Sequence, residues 1–163
     1  MKGECAVFEA RDLRYAFGRF ATGVTIVTYA TDDGPRGFTA NSFTSVSLDP
    51  PLLLISVDRR IKAARYLPER PFAVNVLKAD QAPLADRFAG RGKEANLSVP
   101  WKDGVWAPHF DEALAIFECT PWRTYDGGDH LLVLGLIRRY SYGDGHALTF
   151  FCGQYGIAAH QAV

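Results

Sequence analysis

The sequence predicts a mainly β fold, an antiparallel β-barrel carrying short helices. Three observations lead there. About seven runs rich in β-branched and aromatic residues are separated by turn chemistry. Helical periodicity appears in only two or three short segments, too few to alternate with strands as a βαβ sheet requires. No G-x-G-x-x-G follows a predicted strand, which counts against a dinucleotide-binding α/β sheet. No internal repeat or low-complexity segment breaks the pattern. A chain of 163 residues with 48% hydrophobic content is the size of one domain with a real core, so a single domain over residues 1–163 is expected.

Taken in order, Asp12 is placed to N-cap a short amphipathic helix in which Leu13, Ala16, Phe17 and Phe20 recur at i, i+3, i+4 and i+7, with Gly23 placed to end it. Residues 24–30 read as a strand, and Asp32-Asp33-Gly34-Pro35 turns the chain back through residues 37–40 as a hairpin. Pro50-Pro51 interrupts the chain before residues 52–57, a continuous apolar run of the kind a strand buried on both faces shows. Residues 61–67 suit a short helix, fenced by Pro68 and Pro71 from a strand over 72–77. Asp80 could cap a helix carrying Leu84, Ala85 and Phe88 and closed by Gly90-Arg91-Gly92. Residues 93–112 sustain no period and read as a long loop, which in a compact domain is usually functional or mobile. Strands over 113–122, 131–142 and 147–152 follow, the last two joined at Gly143-Asp144-Gly145.

Composition excludes several classes of function. Lysine plus arginine and aspartate plus glutamate number 18 each, so there is no basic footprint for nucleic acid or an anionic membrane. The longest apolar runs, 52–57 and 131–137, fall well short of the roughly 20 residues of a membrane helix. Glu4, Glu9, Arg11 and Asp12 interrupt any signal-peptide core, and a cytoplasmic location is expected. Cys5, Cys119 and Cys152 are odd in number and lack C-x-x-C spacing, against both a disulfide framework and a zinc site. Cys119 and Cys152 read as small apolar filler in strands. No metal ligand set is expected, and His109, His146 and His160 read as surface or loop residues.

Residues 39–47 hold five hydroxyls and one amide in nine positions: Thr39, Asn41, Ser42, Thr44, Ser45 and Ser47, with Ala40, Phe43 and Val46 between them. Short polar side chains of this kind can answer the alternating acceptors and N–H of a flat, phosphate-bearing ligand such as a flavin. An exposed Ser/Thr-rich strand is the alternative reading.

The run Gly18-Arg19-Phe20-Ala21-Thr22-Gly23-Val24-Thr25-Ile26-Val27-Thr28, then Arg36-Gly37-Phe38-Thr39-Ala40-Asn41-Ser42 and Ser45-Val46-Ser47-Leu48-Asp49-Pro50-Pro51, resembles the flavin reductase components of two-component monooxygenases. Phe72-Ala73-Val74-Asn75-Val76-Leu77, Gly128-Asp129-His130 and Phe150-Phe151-Cys152-Gly153-Gln154-Tyr155 fall in the same order, so the resemblance runs from about Leu13 to Tyr155. It implies a split-barrel flavin-binding fold, usually a homodimer with flavin near the subunit interface. It also implies reduction of FMN or FAD by NADH or NADPH, the reduced flavin then leaving for a separate monooxygenase or halogenase. In such a reductase the cofactors carry the reactive electrons while the protein stacks and orients two rings, so no acid/base triad is needed.

Carried over by position, the resemblance places Thr39, Ala40, Asn41 and Ser42 at the flavin ring edge with Ser45, Val46 and Ser47 close by. Asp58, Arg59, Arg60 and Lys62 fall where the family binds the ribityl phosphate, which three cations would suit; a solvated basic turn is the other reading. Ile61 and Ala63 stand where relatives carry hydroxyls. Phe88 and Ala89 belong to a further contact region, although core packing accounts for Phe88 equally well. His130 would face the nicotinamide, and Tyr155 lies where relatives carry an aromatic residue among arginines, here replaced by Cys152 and Gln154. These departures keep two alternatives open: a divergent flavoenzyme acting on its own small substrate, and a non-catalytic flavin-binding protein.

Overall fold

The computed structural model describes residues 9–91 and 98–159. Cys5, Gly92, residues 93–97 of the expected loop and His160 lie outside the described residues. In chain order the elements are α1 (Ala10–Phe17), β1 (Thr22–Gly23), β2 (Thr25–Thr31), β3 (Gly34–Ala40), β4 (Thr44–Leu48), β5 (Pro51–Asp58), α2 (Ala63–Tyr66) and β6 (Phe72–Val76). A 3₁₀ turn (Ala79–Gln81), α3 (Ala82–Phe88), β7 (Trp101–Lys102), β8 (His109–Phe110), β9 (Ala115–Gly127), β10 (His130–Tyr142), β11 (Ala147–Phe151) and β12 (Gln154–Ala158) follow.

Seven strands form one antiparallel sheet in the order β3-β2-β6-β9-β10-β5-β4, and this order dictates the barrel. In a flat sheet its two edges would lie about 29 Å apart, six strand spacings of about 4.8 Å. Yet those edges are consecutive in sequence: β3 ends at Ala40 and β4 begins at Thr44, a link that reaches at most about 14 Å. The sheet must therefore curl until its edges nearly meet. Ser42, in the link, bridges the gap: its hydroxyl donates to the Ser56 carbonyl of β5 and accepts from the Ser56 N–H, each at 3.0 Å. The result is a barrel, as the strand pattern predicts, split between β3 and β4, in line with the split-barrel fold that the resemblance implies.

The barrel interior is filled by Val27, Leu53, Ile55, Val57, Phe72, Val74, Cys119 and Val133, closed by Ala63, Ala64 and Leu67 around α2. Gly135 of β10 is required there. A Cβ at that position would lie 2.6 Å from Phe72 Cζ and 2.9 Å from Cys119 Cβ. A second core of Val24, Ile26, Leu77, Leu84, Ala85, Phe110 and Leu148 seats α3 against the barrel. It also carries the small sheet β1-β11-β12. Strand β2 contributes to both cores, which is why Val24 through Tyr29 are all buried.

Several expectations are corrected. Glu9 occupies the N-cap of α1 without a side-chain bond and Asp12 lies in the first turn; the helix ends at Gly18, and Gly23 belongs to β1. Phe17 and Phe20 remain 69% and 76% exposed, because an amphipathic pattern does not say what covers its apolar face. Asp80 lies inside the 3₁₀ turn, which is capped by the Gln81 carboxamide oxygen accepting from the Lys78 N–H, while α3 begins without a side-chain cap and with Pro83 in its first turn. The expected loop contains the β7–β8 ladder, held by two buried polar side chains. The Asn75 carboxamide accepts from the Phe110 N–H, and Glu118 accepts from the Trp106 and Ala107 N–H groups. Such partners let irregular backbone be buried. Cys119 is buried filler, with its thiol pushed up to about 12 chiefly by burial. Cys152 is not: it is exposed in the β11–β12 turn with a left-handed φ of 49°. The chain past that turn forms β12, a strand the sequence reading did not separate.

Candidate active site

The split gathers residues from four separate stretches of chain. The end of β3 and the link after it bring Phe38, Thr39, Ala40, Asn41 and Ser42; β5 and the turn beyond bring Ser56, Asp58 and Ile61. The end of α3 adds Phe88 and Ala89, and the first residue of β10 is His130. Together they line an open cleft of about 300 Å³. A recess of about 140 Å³ shares Thr39, Ala40, Asn41 and Ala89 with the cleft and adds Val24, Arg91, Phe150 and Tyr155. Of the sequence-derived candidates, Thr39, Ala40, Asn41, Ser42, Asp58, Phe88, Ala89, His130 and Tyr155 thus meet at one place. Ser45, Val46 and Ser47 lie on edge strand β4 and line neither space; a bulge between Ser45 and Ser47 leaves Val46 outside the ladder.

The polar run divides into structural and available groups. The Thr39 hydroxyl donates to the Ala85 carbonyl at 2.6 Å, tying β3 to α3, and the Ser42 hydroxyl spends its proton on Ser56. Asn41 is exposed, lines both spaces, and its carboxamide has no hydrogen-bond partner among the described residues. Behind the wall, Gly37 allows the close packing of Phe88: a Cβ there would lie 3.1 Å from the Phe88 ring and 3.0 Å from the Val27 carbonyl oxygen. Phe88 meanwhile packs on Trp101 and Phe110, so it serves the core and the cleft at once.

The expected phosphate turn holds fewer free cations than its composition suggests. Asp58 accepts from the Arg60 guanidinium at 2.6 Å and from its backbone N–H at 2.8 Å, which hold its carboxyl well below the usual carboxylate range. Arg59 donates from Nη2 to Asp126 at 2.8 Å and from Nε to the Gly128 carbonyl at 2.8 Å. Lys62 is exposed and has no ion pair among the described residues.

His130 faces Asp58 across the β5–β10 ladder, and its Nδ1 lies 2.6 Å from Asp129 Oδ1. A carboxylate only accepts, so Nδ1 carries the proton and Nε2 is the nitrogen left for a ligand. The Tyr155 hydroxyl donates to Asp86 at 3.1 Å; burial, then the Asp86 carboxylate, raises its pKa above 10.0. At the neighbouring turn Arg19 Nη1 lies 3.4 Å from Cys152 Sγ, so a guanidinium stands where the sequence appeared to have lost one. Sequence reasoning missed Ser56, Arg91 and Asp86. Only Ser56 carried a signal, as the lone hydroxyl in the apolar run 52–57.

Comparison with known proteins identifies the family to which this fold belongs. The model of the family described as "Flavin reductase like domain" matches residues 17–159. An NADH-dependent flavin reductase from a Rhodococcus species is 42% identical over 148 residues, covering 88% of this chain and 83% of the relative. The structure of an NADH:FAD oxidoreductase from Streptomyces globisporus, solved with NAD and FAD fragments, superposes with a TM-score of 0.85 at 38% identity, covering 98% of this chain and all of that one. BorF, the flavin reductase component of a bacterial two-component tryptophan halogenase, gives 0.84 at 40% identity over 94% of this chain and all of that one. This chain, with its split barrel and its cleft at the split, belongs to the flavin reductase like domain family.

Proposed function

We propose that this protein is an NAD(P)H-dependent flavin reductase that takes FMN or FAD into the cleft at the barrel split and releases it reduced to a separate monooxygenase or halogenase. The observation that carries this reading is the convergence of Thr39 to Ser42, Asp58, Phe88, Ala89 and His130 on one open cleft. The names of the relatives support the chemistry: one is an NADH-dependent flavin reductase, another the reductase component of a halogenase. The donor set fits a flavin. It offers the Asn41 carboxamide, which has no partner among the described residues, and aromatic walls at Phe38 and Phe88; Lys62, an exposed cation just past the end of β5, lies outside the lining of the cleft.

When bound, the flavin supplies the ring that takes a hydride from the reduced nicotinamide. The chain's part is placement. Asn41 hydrogen-bonds the polar rim of the ring, while Thr39 and Ser42 fix the backbone that presents it. Tyr155, anchored by Asp86, and Phe150 wall the adjoining recess. His130 offers Nε2 to the nicotinamide carboxamide, its Nδ1 being held by Asp129. Lys62 meets the phosphate. The openness of the cleft suits a flavin that must leave after reduction.

The working molecule is proposed to be a cytoplasmic homodimer of one-domain subunits, in which a second copy covers the exposed Phe17 and Phe20 of the α1 region. Among the described residues, no helix is long and apolar enough to cross a membrane. Flavin titration of Asn41→Ala tests the ring placement. Loss of one or two neutral hydrogen bonds is expected to weaken binding about tenfold. Unchanged affinity would remove Asn41 from the site.

A further inference from the structure

We propose that Arg59 and Asp126 act as positioning residues for His130 and not as phosphate ligands. The proposal rests on the reading of His130 as the nicotinamide-facing group. His130 opens β10 directly after a two-residue turn, Gly128-Asp129, at the free end of the β9–β10 hairpin, and Gly128 has a left-handed φ of 75°. A tip of this kind frays unless something holds it. Here four hydrogen bonds do so. The Arg59 N–H donates to the Asp129 carbonyl at 3.0 Å, Arg59 Nε to the Gly128 carbonyl at 2.8 Å, and Arg59 Nη2 to Asp126 Oδ1 at 2.8 Å. The Gly128 N–H donates to the same Asp126 oxygen at 2.9 Å.

Arg59 therefore grips the turn on both sides of Gly128, in a fork geometry that lysine cannot reproduce. The turn in turn carries Asp129, whose carboxylate orients the imidazole. Two of the five guanidinium N–H donors are taken up at this turn, and its charge is already paired with the Asp126 carboxylate, which weakens its pull on a phosphate. The arginine that its sequence position suggests for anion binding instead joins the end of β5 to the residue facing the nicotinamide.

The test compares Arg59→Gln, Arg59→Lys, Asp126→Asn, the Arg59→Gln/Asp126→Asn double variant and His130→Ala. Steady-state NADH kinetics and equilibrium titrations with FMN and riboflavin are measured on each. Each single loss of the clamp is expected to lower kcat/KM for NADH roughly tenfold or more, as misplacement of a positioning group does. The double variant should be no worse than the worse single one, since both remove one device. Arg59→Lys should fall between wild type and Arg59→Gln, and the ratio of FMN to riboflavin affinity should stay at the wild-type value throughout.

The proposal is overturned if Arg59→Gln lowers FMN affinity relative to riboflavin while Asp126→Asn raises it, for then Asp126 merely competes with a phosphate. It is also overturned if His130→Ala is impaired while the clamp variants keep normal NADH kinetics. Normal kinetics in His130→Ala would overturn the underlying reading of His130, and the clamp with it.

Discussion

Replacing Ser42 with alanine separates the two tasks of the polar run. The Ser42 hydroxyl bonds both the carbonyl and the N–H of Ser56, and it does so where the barrel edges meet. Ser42→Ala leaves both Ser56 groups without that partner. The site is half-buried, so water can answer part of the loss. Taking about 1 kcal/mol for each group gives a destabilisation of about 2 kcal/mol. In a domain of this size that corresponds to about 4–8 °C in Tm. Flavin affinity should fall as well, because the split that shapes the cleft loosens. Thermal or urea unfolding read alongside a flavin titration is the assay, with Asn41→Ala as the contrast: it should weaken flavin and leave Tm within about 1 °C, as exposed substitutions usually do. If Ser42→Ala weakened flavin with no change in unfolding midpoint, Ser42 would be a ligand contact and the account of how the barrel is held at its split would be wrong.

Gly135→Ala places a Cβ against Phe72 and Cys119 and is expected to cost about 1–3 kcal/mol, whereas Gly143→Ala, with nothing within 4 Å, should cost far less; urea midpoints compare the two. At alkaline pH, Tyr29 and Tyr155 both have pKa values raised by burial above 10.0. A raised folded pKa contributes stability that is full below the unfolded value and lost as pH rises through the folded one. Stability should thus drop above about pH 10, and Tyr155→Phe should lessen the drop; equal curves for variant and wild type would exclude Tyr155 as a cause. Asp126 has the opposite sign: the Gly128 N–H and then Arg59 lower its pKa, so the clamp is intact above the ordinary carboxylate range and fails only as pH falls through the lower folded value. NADH turnover between pH 6 and 8 should therefore show no step attributable to Asp126.

What the sequence disclosed, and what it withheld, follows from the range of the interactions involved. The β2–β3 hairpin was legible because its signal is local: Asp32-Asp33 lies between two strands and Gly34 takes a φ of 104°. The apolar run that became β5 was legible by hydrophobicity alone, but not its two faces: Leu53, Ile55 and Val57 are buried on one, while Leu54, Ser56 and Asp58 on the other are only half-buried. The polar run marked the site correctly but not the duties within it. Whether a hydroxyl bonds a ligand or a neighbouring strand depends on a partner that spacing does not reveal, such as Ala85 for Thr39. Arg59 shows the same limit, since its carboxylate partner stands 67 residues away. The segment expected to be a loop contains paired strands because Asn75 and Glu118, buried in distant strands, satisfy its backbone. The apolar side of α1 was readable as a pattern, yet among the described residues nothing buries it.

The central claim is that the cleft at the barrel split exchanges flavin and passes it electrons from a reduced nicotinamide. The most direct measurement is the rate of NADH or NADPH oxidation by catalytic amounts of this protein as free FMN or FAD is varied. The account expects no oxidation without added flavin, a rate that saturates with flavin concentration, and many turnovers per subunit. Flavin held tightly through purification, with no nicotinamide oxidation above background at any flavin concentration, would contradict it.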